Sequence, residues 1–337
     1  MMRRSLAMAW ACCSVLGAAA PMLAAAQDGA SHLLIVSGLS GEERFAAAYA
    51  EWGAALTEAV IEEHGMPAAN VVWLAEDAGA HPRVKDRSTV VNIGRELQSL
   101  AQRAGEHDRI MVLLFGHGSY QNGESRLALP GPDLSGAELS ALLAPFETQR
   151  VAVVNAASAS GGFIQDLAAP NRVVITATKS GFEQNETVFG GHFTAAFTTD
   201  GADVDQDGRV SLLEAFAYTR REVEREYERG NKLLTEHATL DGIGDGTGVG
   251  AVEPAAPHAR LARTFFLGPA GGAAAADASP ELRALYQARD ALQAQLDALR
   301  ARKDRMTEAE YEAELEEMLV GIARNAQEIR RLEGGGT

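Results

Sequence analysis

The sequence predicts an α/β protein with a mostly parallel β-sheet at its core, followed by a separate helical unit. Between residues 31 and 199, short and nearly continuous apolar runs alternate with longer amphipathic stretches. Continuous apolar runs are typical of strands buried on both faces, as in a parallel sheet covered by helices. From residue 280 to residue 332, apolar residues recur instead at helical spacing. The two patterns place a sheet domain before a helical segment.

Five apolar runs are predicted as strands, and the amphipathic stretches are predicted as helices. The predicted strands are 32–39, 70–75, 109–115, 150–155 and 172–178. The predicted helices of this part of the chain are 42–64, 90–104, 134–143 and 211–229. Residues 126–129, in a region rich in Gly, Asn and Pro, favour a small hairpin. A short apolar run at 264–267 closes the domain, which we expect to span 31–267.

The N-terminus has the features of a signal peptide. Arg3 and Arg4 are followed by an apolar stretch from residue 6 to residue 23, and three alanines at 24–26 offer a small-residue cleavage site. An uncleaved membrane anchor is the alternative interpretation, and the paired arginines leave twin-arginine export open beside the general secretory route. We expect removal of residues 1–26, a periplasmic or secreted location, and no membrane association after cleavage.

The charge and the cysteine content narrow the classes of function. The 337-residue chain has a net charge of −16. Cleavage of the predicted signal peptide would remove two arginines but no acidic residue, which makes the mature chain more acidic. A chain this acidic has no general basic surface for nucleic acid or anionic membranes, so nucleic acid is not an expected partner. The only cysteines, Cys12 and Cys13, lie in the predicted signal peptide. The mature protein is therefore expected to contain no thiol and no disulfide.

A histidine follows the third predicted strand. His117 stands between Gly116 and Gly118, just beyond the apolar run 109–115. In parallel sheets, sites form at the carboxyl ends of strands, and flanking glycines allow backbone or ligand to approach closely. A loop histidine alone is more often structural or solvated than catalytic, so His117 needs a partner to indicate function.

The fourth predicted strand ends in a turn of small residues that contains Ser158, Ser160 and Gly161. Together, the two strand-end motifs resemble the caspase-like peptidase fold, which includes caspases, metacaspases, gingipains and legumain. The resemblance is closest to the bacterial legumain-like branch, where a later Phe-Gly-Gly-x-Phe segment, residues 189–193 here, is familiar. It covers about residues 31–199 and implies a three-layer sandwich with a mostly parallel sheet.

The resemblance also implies roles for individual residues. His117 matches the family histidine, and Ser158 occupies the position of the nucleophilic cysteine. The backbone amides of Gly118 and Ser158 would then form the oxyanion hole. No acid that orients the histidine can be identified from the sequence, although Asp133 and Asp166 are available.

The replacement of cysteine by serine leads to two hypotheses. A serine hydroxyl is not usefully ionised at neutral pH, whereas a thiol readily forms a nucleophilic thiolate. Serine therefore needs a base within hydrogen-bond reach, usually oriented by a third group. The first hypothesis is a catalytically impaired pseudo-peptidase that binds a peptide or protein segment in its cleft. The second is an active endopeptidase with Ser158 as nucleophile and His117 as base.

Residues 203–214 fit the EF-hand calcium loop at every ligand position. The predicted ligands are the side chains of Asp203, Asp205, Asp207, Ser211 and Glu214 and the backbone carbonyl of Arg209. Gly208 allows the sharp turn, and carboxylates this close repel one another without a cation. Ca²⁺ is therefore the predicted cofactor, with a structural role at the start of helix 211–229, and a solvated acidic loop is the alternative. A second acidic stretch at 241–246 lacks ligand spacing and is predicted as a turn.

Residues 280–334 are predicted as two helices, joined to the sheet domain by a flexible Gly/Ala-rich linker at 268–279. Leucines seven residues apart form an apolar seam on the first helix, at Leu285, Leu292 and Leu299. Thr307 and Glu310 have the spacing of a capping box, which marks the start of the second helix. The two helices form either an antiparallel hairpin or part of a coiled coil with another copy or a partner helix.

Overall fold

The computed structural model describes residues 29–199, 201–205, 207–269 and 278–334. The predicted signal peptide lies outside the described residues, as does most of the predicted linker at 268–279. Within the described ranges, no helix is both long enough and apolar enough to cross a membrane.

A seven-stranded sheet forms the centre of the fold. Its strands are β1 (Ser31–Ser37), β2 (Val71–Ala75), β3 (Val84–Arg87), β4 (Arg109–Phe115), β8 (Arg150–Asn155), β9 (Arg172–Thr176) and β10 (Thr239–Asp241). They lie in the order β10-β9-β8-β4-β1-β2-β3, and all neighbours run parallel except β10, which is antiparallel to β9. The predicted mostly parallel sheet is therefore confirmed.

Helices cover both faces of this sheet. The helices in the described residues are α1 (Glu43–Glu62), α2 (Val90–Arg103), α3 (Gly136–Leu143), α4 (Phe163–Leu167), α5 (Phe189–Thr198), α6 (Leu212–Arg229), α7 (Ala259–Arg263), α8 (Pro280–Ala301) and α9 (Glu308–Gly334). Leu33 and Ile35 of β1 belong to one apolar core with α1, α5 and α6. Leu34 and Val36 belong to a second core with α2, α3 and α4. Since successive strand side chains point to opposite faces, β1 is buried on both, as its continuous apolar pattern predicts.

The structure differs from the predicted elements at several places, and the helices α4, α5 and α7 were not predicted. β3 and β10 were not predicted, because both are short and β3 carries charged residues suited to the edge of a sheet. The predicted hairpin around 126–129 is part of a three-stranded sheet of β5 (Gly118–Gln121), β6 (Glu124–Leu127) and β7 (Leu134–Ser135). The predicted helix 134–143 consequently begins at Gly136, after Ser135 closes a capping box at the N-terminus of α3.

The two C-terminal helices pack against each other along one face. Tyr286 of α8 and Ile329 of α9 are buried together, and the Asn325 side chain donates to the Leu285 carbonyl at 3.0 Å. A Cβ added at Gly321 would lie 3.5 Å from Leu292. Gly321 is therefore near Leu292, whereas the later residue Asn325 contacts the earlier residue Leu285, so α8 and α9 run in opposite directions. The predicted capping box is confirmed, since the Thr307 hydroxyl donates to Glu310 at 2.7 Å and accepts from its amide at 3.3 Å.

Candidate functional site

The parallel pairing of β4 with β8 brings the two predicted catalytic residues together. Leu114 of β4 lies opposite Asn155 of β8, so the segments that leave the two strands start side by side. His117 follows β4, Ser158 follows β8, and both line the same small pocket. The site is at the carboxyl edge of the sheet, as the sequence predicts.

The glycine at position 118 is required by this close approach. A Cβ added at Gly118 would lie 1.9 Å from the backbone oxygen of Ser158, far inside van der Waals contact. Gly116 adopts a φ of 155° and would place a Cβ 3.0 Å from Leu127. Gly118 therefore lets the segment after β4 lie directly against the turn that carries Ser158, whereas Gly116 lets it pass close to Leu127.

The Ser158 hydroxyl is bonded to the backbone of Gly118. Its Oγ accepts from the Gly118 amide at 3.0 Å and donates to the Gly118 carbonyl at 3.2 Å. Ser158 is only 4% exposed. The hydroxyl has only one proton to donate, and its hydrogen bond to the Gly118 carbonyl uses that proton. The Gly118 amide, which the resemblance assigns to the oxyanion hole, donates to the Ser158 hydroxyl itself rather than into an open pocket.

His117 is oriented by a third strand end. Its Nε2 lies 2.9 Å from the carbonyl oxygen of Ser40, which follows β1. A carbonyl only accepts, so Nε2 donates and the lone pair of the neutral ring is at Nδ1. Ser40 is itself held by Glu76, whose Oε2 accepts from the Ser40 amide at 2.9 Å and the Ser40 hydroxyl at 2.7 Å. The ring of Phe45 packs edge-on against the imidazole with ring centroids 4.6 Å apart.

No hydrogen bond joins His117 to Ser158, both of which are described. The two acids considered as orienting groups lie elsewhere. Asp133 accepts from the amide of Leu129 at 3.3 Å. Asp166 lies against the start of α3, where burial and the nearby charge of Glu124 raise its pKa. The Ser40 carbonyl thus orients His117 in place of the acid that the sequence did not identify.

The segment 179–188 covers the Ser158 turn. The amide of Ala159, which has a left-handed φ of 53°, donates to the Glu183 carbonyl at 2.7 Å. The Thr187 hydroxyl donates to the Ala156 carbonyl at 2.6 Å. Glu186 lines the pocket and pairs with Arg44 at 2.5 Å. These contacts hold segment 179–188 against the residues on both sides of Ser158, and the sequence offered no signal for them because they join distant parts of the chain.

The predicted calcium loop brings its three aspartates together. The carboxylate oxygens of Asp203, Asp205 and Asp207 lie within 4.8 Å of one another. Backbone amides hold them in place, since Asp203 accepts from Asp207 at 3.1 Å and from Gly208 at 2.9 Å. Gly208 has a φ of 81°, the left-handed conformation that the sharp turn requires. This donor set suits a hard divalent cation.

The last two predicted ligands are hydrogen-bonded to each other at the start of α6. Glu214 Oε2 accepts from the Ser211 amide at 2.9 Å and from its hydroxyl at 2.8 Å, which forms a capping box. Its Oε1 accepts from the Val204 amide at 3.0 Å. Desolvation and the charges of Asp207 and Glu214 raise the pKa of Asp205 to about 6. The loop therefore concentrates negative charge that a cation would relieve.

The side chain of Arg209 links this loop to α8. Its guanidinium donates to both oxygens of Asp290, at 2.8 and 2.6 Å, and lies 3.7 Å from the ring centroid of Phe266. Arg289 of α8 also donates to the Asp207 carbonyl at 2.9 Å. Arg209 is only 5% exposed, so this is a buried ion pair. The sequence predicts a role only for the carbonyl of Arg209, and the side-chain contact was not predicted.

The second acidic stretch forms a turn, as predicted. Asp241 is fully buried, and its carboxylate accepts from the amides of Ile243, Gly244 and Gly246 at 3.0, 2.9 and 2.9 Å. Ligand atoms of Asp241, Asp245 and His258 lie within 4.8 Å of one another. Because three backbone amides already occupy the Asp241 oxygens, its evident role is to shape the loop.

Comparison with known proteins gives no family assignment. No family model matches the chain, and no curated protein matches it. Among solved structures, the protein GSU0716 from Geobacter sulfurreducens is 13% identical with a TM-score of 0.40, covering 67% of this chain and 96% of that chain. Raptor from Chaetomium thermophilum is 10% identical with a TM-score of 0.34, covering 81% of this chain and 34% of that chain. This chain thus spans about a third of the length of Raptor. Likenesses at these TM-scores do not support a function.

Proposed function

We propose that this protein is an exported, peptidase-like binding protein whose catalytic site is impaired. It would use a caspase- or legumain-like cleft to hold a peptide or protein segment without cleaving it efficiently. The observation that carries the proposal is the bonding of Ser158, whose hydroxyl accepts from and donates to the backbone of Gly118. A hydroxyl held in this way serves as a bridge between two strand ends.

Two costs oppose nucleophilic catalysis in this arrangement. The Ser158 hydroxyl would first have to break its hydrogen bond to the Gly118 carbonyl and turn its proton toward His117. The Nε2 of His117 is already hydrogen-bonded to the Ser40 carbonyl. The Gly118 amide would also have to release Oγ before it could stabilise a developing oxyanion. Loss of one oxyanion-hole donor alone lowers kcat by roughly 10² to 10³. Ser158 is also only 4% exposed, and segment 179–188 is hydrogen-bonded to its neighbour Ala159, so a substrate that reaches Oγ would have to move the residues around it.

The finer fold assignment belongs to the same proposal. A three-layer sandwich in which a His-Gly follows one central strand and the nucleophile position follows its parallel neighbour is what the caspase-like resemblance implies. The adjacency of β4 and β8 and the shared pocket of His117 and Ser158 support it. Export to the periplasm or the exterior is proposed from the N-terminal sequence alone.

Labelling with a fluorophosphonate tests whether Ser158 is activated. These probes modify serines whose hydroxyl is deprotonated by a nearby base. We expect no labelling of the purified protein, with the Ser158→Ala variant as the matched control and an active serine hydrolase as the positive control. Labelling of the wild type that disappears in Ser158→Ala would overturn the proposal.

Such labelling would instead support the second candidate, an active endopeptidase with Ser158 as nucleophile and His117 as base. The observation that favours it is the orientation of His117 by the Ser40 carbonyl, which leaves Nδ1 as the basic nitrogen of a ring that lines the shared pocket. In this mechanism Oγ attacks the peptide carbonyl while His117 accepts its proton, and His117 then returns the proton to the leaving amine.

We also propose that residues 203–214 bind Ca²⁺ in a structural role. The carboxylates of Asp203, Asp205 and Asp207 would bind the ion and relieve their mutual repulsion. With an affinity typical of extracellular sites, about 10⁻⁴ to 10⁻³ M, 1 mM Ca²⁺ would stabilise the fold by about 0.4 to 1.4 kcal/mol.

The melting temperature in the presence of Ca²⁺ tests this site. We expect Ca²⁺ to raise it and Asp203→Ala to abolish the rise. Asp245→Ala is the matched control, because it removes a carboxylate from the other acidic turn and should leave the response unchanged. A melting temperature that is the same with and without millimolar Ca²⁺ would contradict the assignment.

A further inference from the structure

The outer face of α9 carries an exposed apolar strip. Its inner face packs on α8 through Asn325 and Ile329. On the other side, Leu319 is 48% exposed and Val320 is 41% exposed. They line a shallow groove together with Glu312, Leu315, Glu316 and Ala323. These positions recur at intervals of three and four residues, the spacing of a helix-pairing seam.

The charges beside this strip are separated along the helix. Residues 308–317 contain six glutamates and no basic residue, whereas residues 324–331 contain three arginines and one glutamate. Glu314 and Arg331 already have ion-pair partners, Arg302 and Glu328. Glu312, Glu316, Arg324 and Arg330 are among the exposed charged residues of α9 that have no ion-pair partner in the described part of the chain. The N-terminal half of α9 is therefore acidic and its C-terminal half basic, with the groove between the two charged regions.

We infer that the outer face of α9 is a homodimer interface, in which two copies of the chain pair their α9 helices in antiparallel orientation. An antiparallel pair places the acidic half of each helix against the basic half of the other, whereas a parallel pair would place like charges together. A single self-complementary surface of this kind gives a closed two-fold dimer. The second copy is thus the occupant that the charge distribution fits.

The positions of the exposed residues define the register of the pair. With the two-fold axis between Leu319 and Val320, these side chains of both copies form the apolar centre. Glu316 and Arg324 then differ by one residue in distance from the axis, which is about 1.5 Å along the helix. Glu316 of each copy can therefore pair with Arg324 of the other. Glu312 and Arg330 differ by three residues, about 4.5 Å, which a long arginine side chain spans.

Sedimentation equilibrium of the purified chain tests the dimer over a range of protein concentrations. We expect a dimer whose dissociation constant rises as salt is increased, because surface charge pairs are screened. Leu319→Glu should give a monomer, and its far-UV circular dichroism should be unchanged because Leu319 is exposed. Glu228→Arg, a change at an exposed position on α6, is the control for a charge reversal elsewhere.

A charge swap tests the orientation. Glu316→Arg and Arg324→Glu should each weaken the dimer about tenfold or more, since each sets like charges against one another. The double variant carrying both changes should restore the wild-type dissociation constant to within about threefold, because the charges are again opposite. A monomer at every concentration, a dimer unaffected by Leu319→Glu, or a double variant as weak as the single ones would each overturn the inference.

Discussion

The change Ser158→Ala distinguishes a structural serine from a catalytic one by its effect on stability. If the hydroxyl bridges two strand ends, its removal should destabilise the fold. A nucleophile held in an activated and strained site behaves differently, because its replacement is commonly neutral or stabilising. The free energy of unfolding therefore reports the role of Ser158 without any knowledge of a substrate.

The size of the effect follows from the two hydrogen bonds. The Gly118 amide donates to Oγ at 3.0 Å, and Oγ donates to the Gly118 carbonyl at 3.2 Å. Each such bond contributes about 0.5 to 1.5 kcal/mol net. Because Ser158 is 4% exposed, water reaches the vacated groups poorly. We expect Ser158→Ala to lower the free energy of unfolding by roughly 1 to 3 kcal/mol.

Urea unfolding followed by circular dichroism measures this change. The midpoint should fall while the slope stays the same, as for a loss of native interactions without a change in exposed surface. Ser119→Ala is the matched control, because the half-buried Ser119 side chain makes no hydrogen bond with the described residues. It should change the free energy of unfolding by less than about 0.5 kcal/mol.

A Ser158→Ala protein as stable as the wild type, or more stable, would refute this reasoning. It would mean that the two bonds to Gly118 contribute little, and that the hydroxyl is free to turn toward His117. The structural interpretation of Ser158 would then lose its main support.

Two further predictions concern buried charges. Asp290→Ala leaves the buried guanidinium of Arg209 without its bidentate partner, so hydrogen exchange should show α8 opening more easily by roughly 3 kcal/mol. Glu314→Ala breaks an exposed ion pair instead, and an equal effect of both changes would contradict the assignment. Burial raises the pKa of Glu236 to about 7, so the folded state holds a proton there that the unfolded state has lost above its ordinary pKa near 4.5. Stability should therefore fall as pH rises from about 4.5 to about 7, by up to about 3 kcal/mol from this group. Glu236→Gln should flatten that profile, and an unchanged slope would contradict the prediction.

The sequence predicted the parts of the fold that depend on burial along the chain. The strands from β1 to β9 that are buried on both faces carry continuous apolar runs, which a parallel sheet requires. β3 and β10 escaped prediction because they are short strands at the sheet edges. The adjacency of His117 and Ser158 could be predicted because the carboxyl ends of parallel strands meet at one edge.

The contacts that decide the chemistry could not be predicted from one sequence. The Ser40 carbonyl that orients His117 comes from the segment after β1, and only the strand order places β1 beside β4. Segment 179–188 contacts the Ser158 turn through the Glu183 carbonyl and the Thr187 hydroxyl, and neither residue type signals such a contact in the sequence. The pairing of Arg209 with Asp290 joins residues far apart in the chain, and a charged helix residue carries no signal of its partner.

A side-by-side assay of peptide cleavage by the wild type, Ser158→Cys and Ser158→Ala tests the central claim most directly. A thiolate is intrinsically nucleophilic and depends less on an oriented base than a hydroxyl does. Against a peptide library, we expect cleavage by Ser158→Cys and none by the wild type or Ser158→Ala. Cleavage by the wild type that is lost in Ser158→Ala would contradict the claim and identify Ser158 as a working nucleophile.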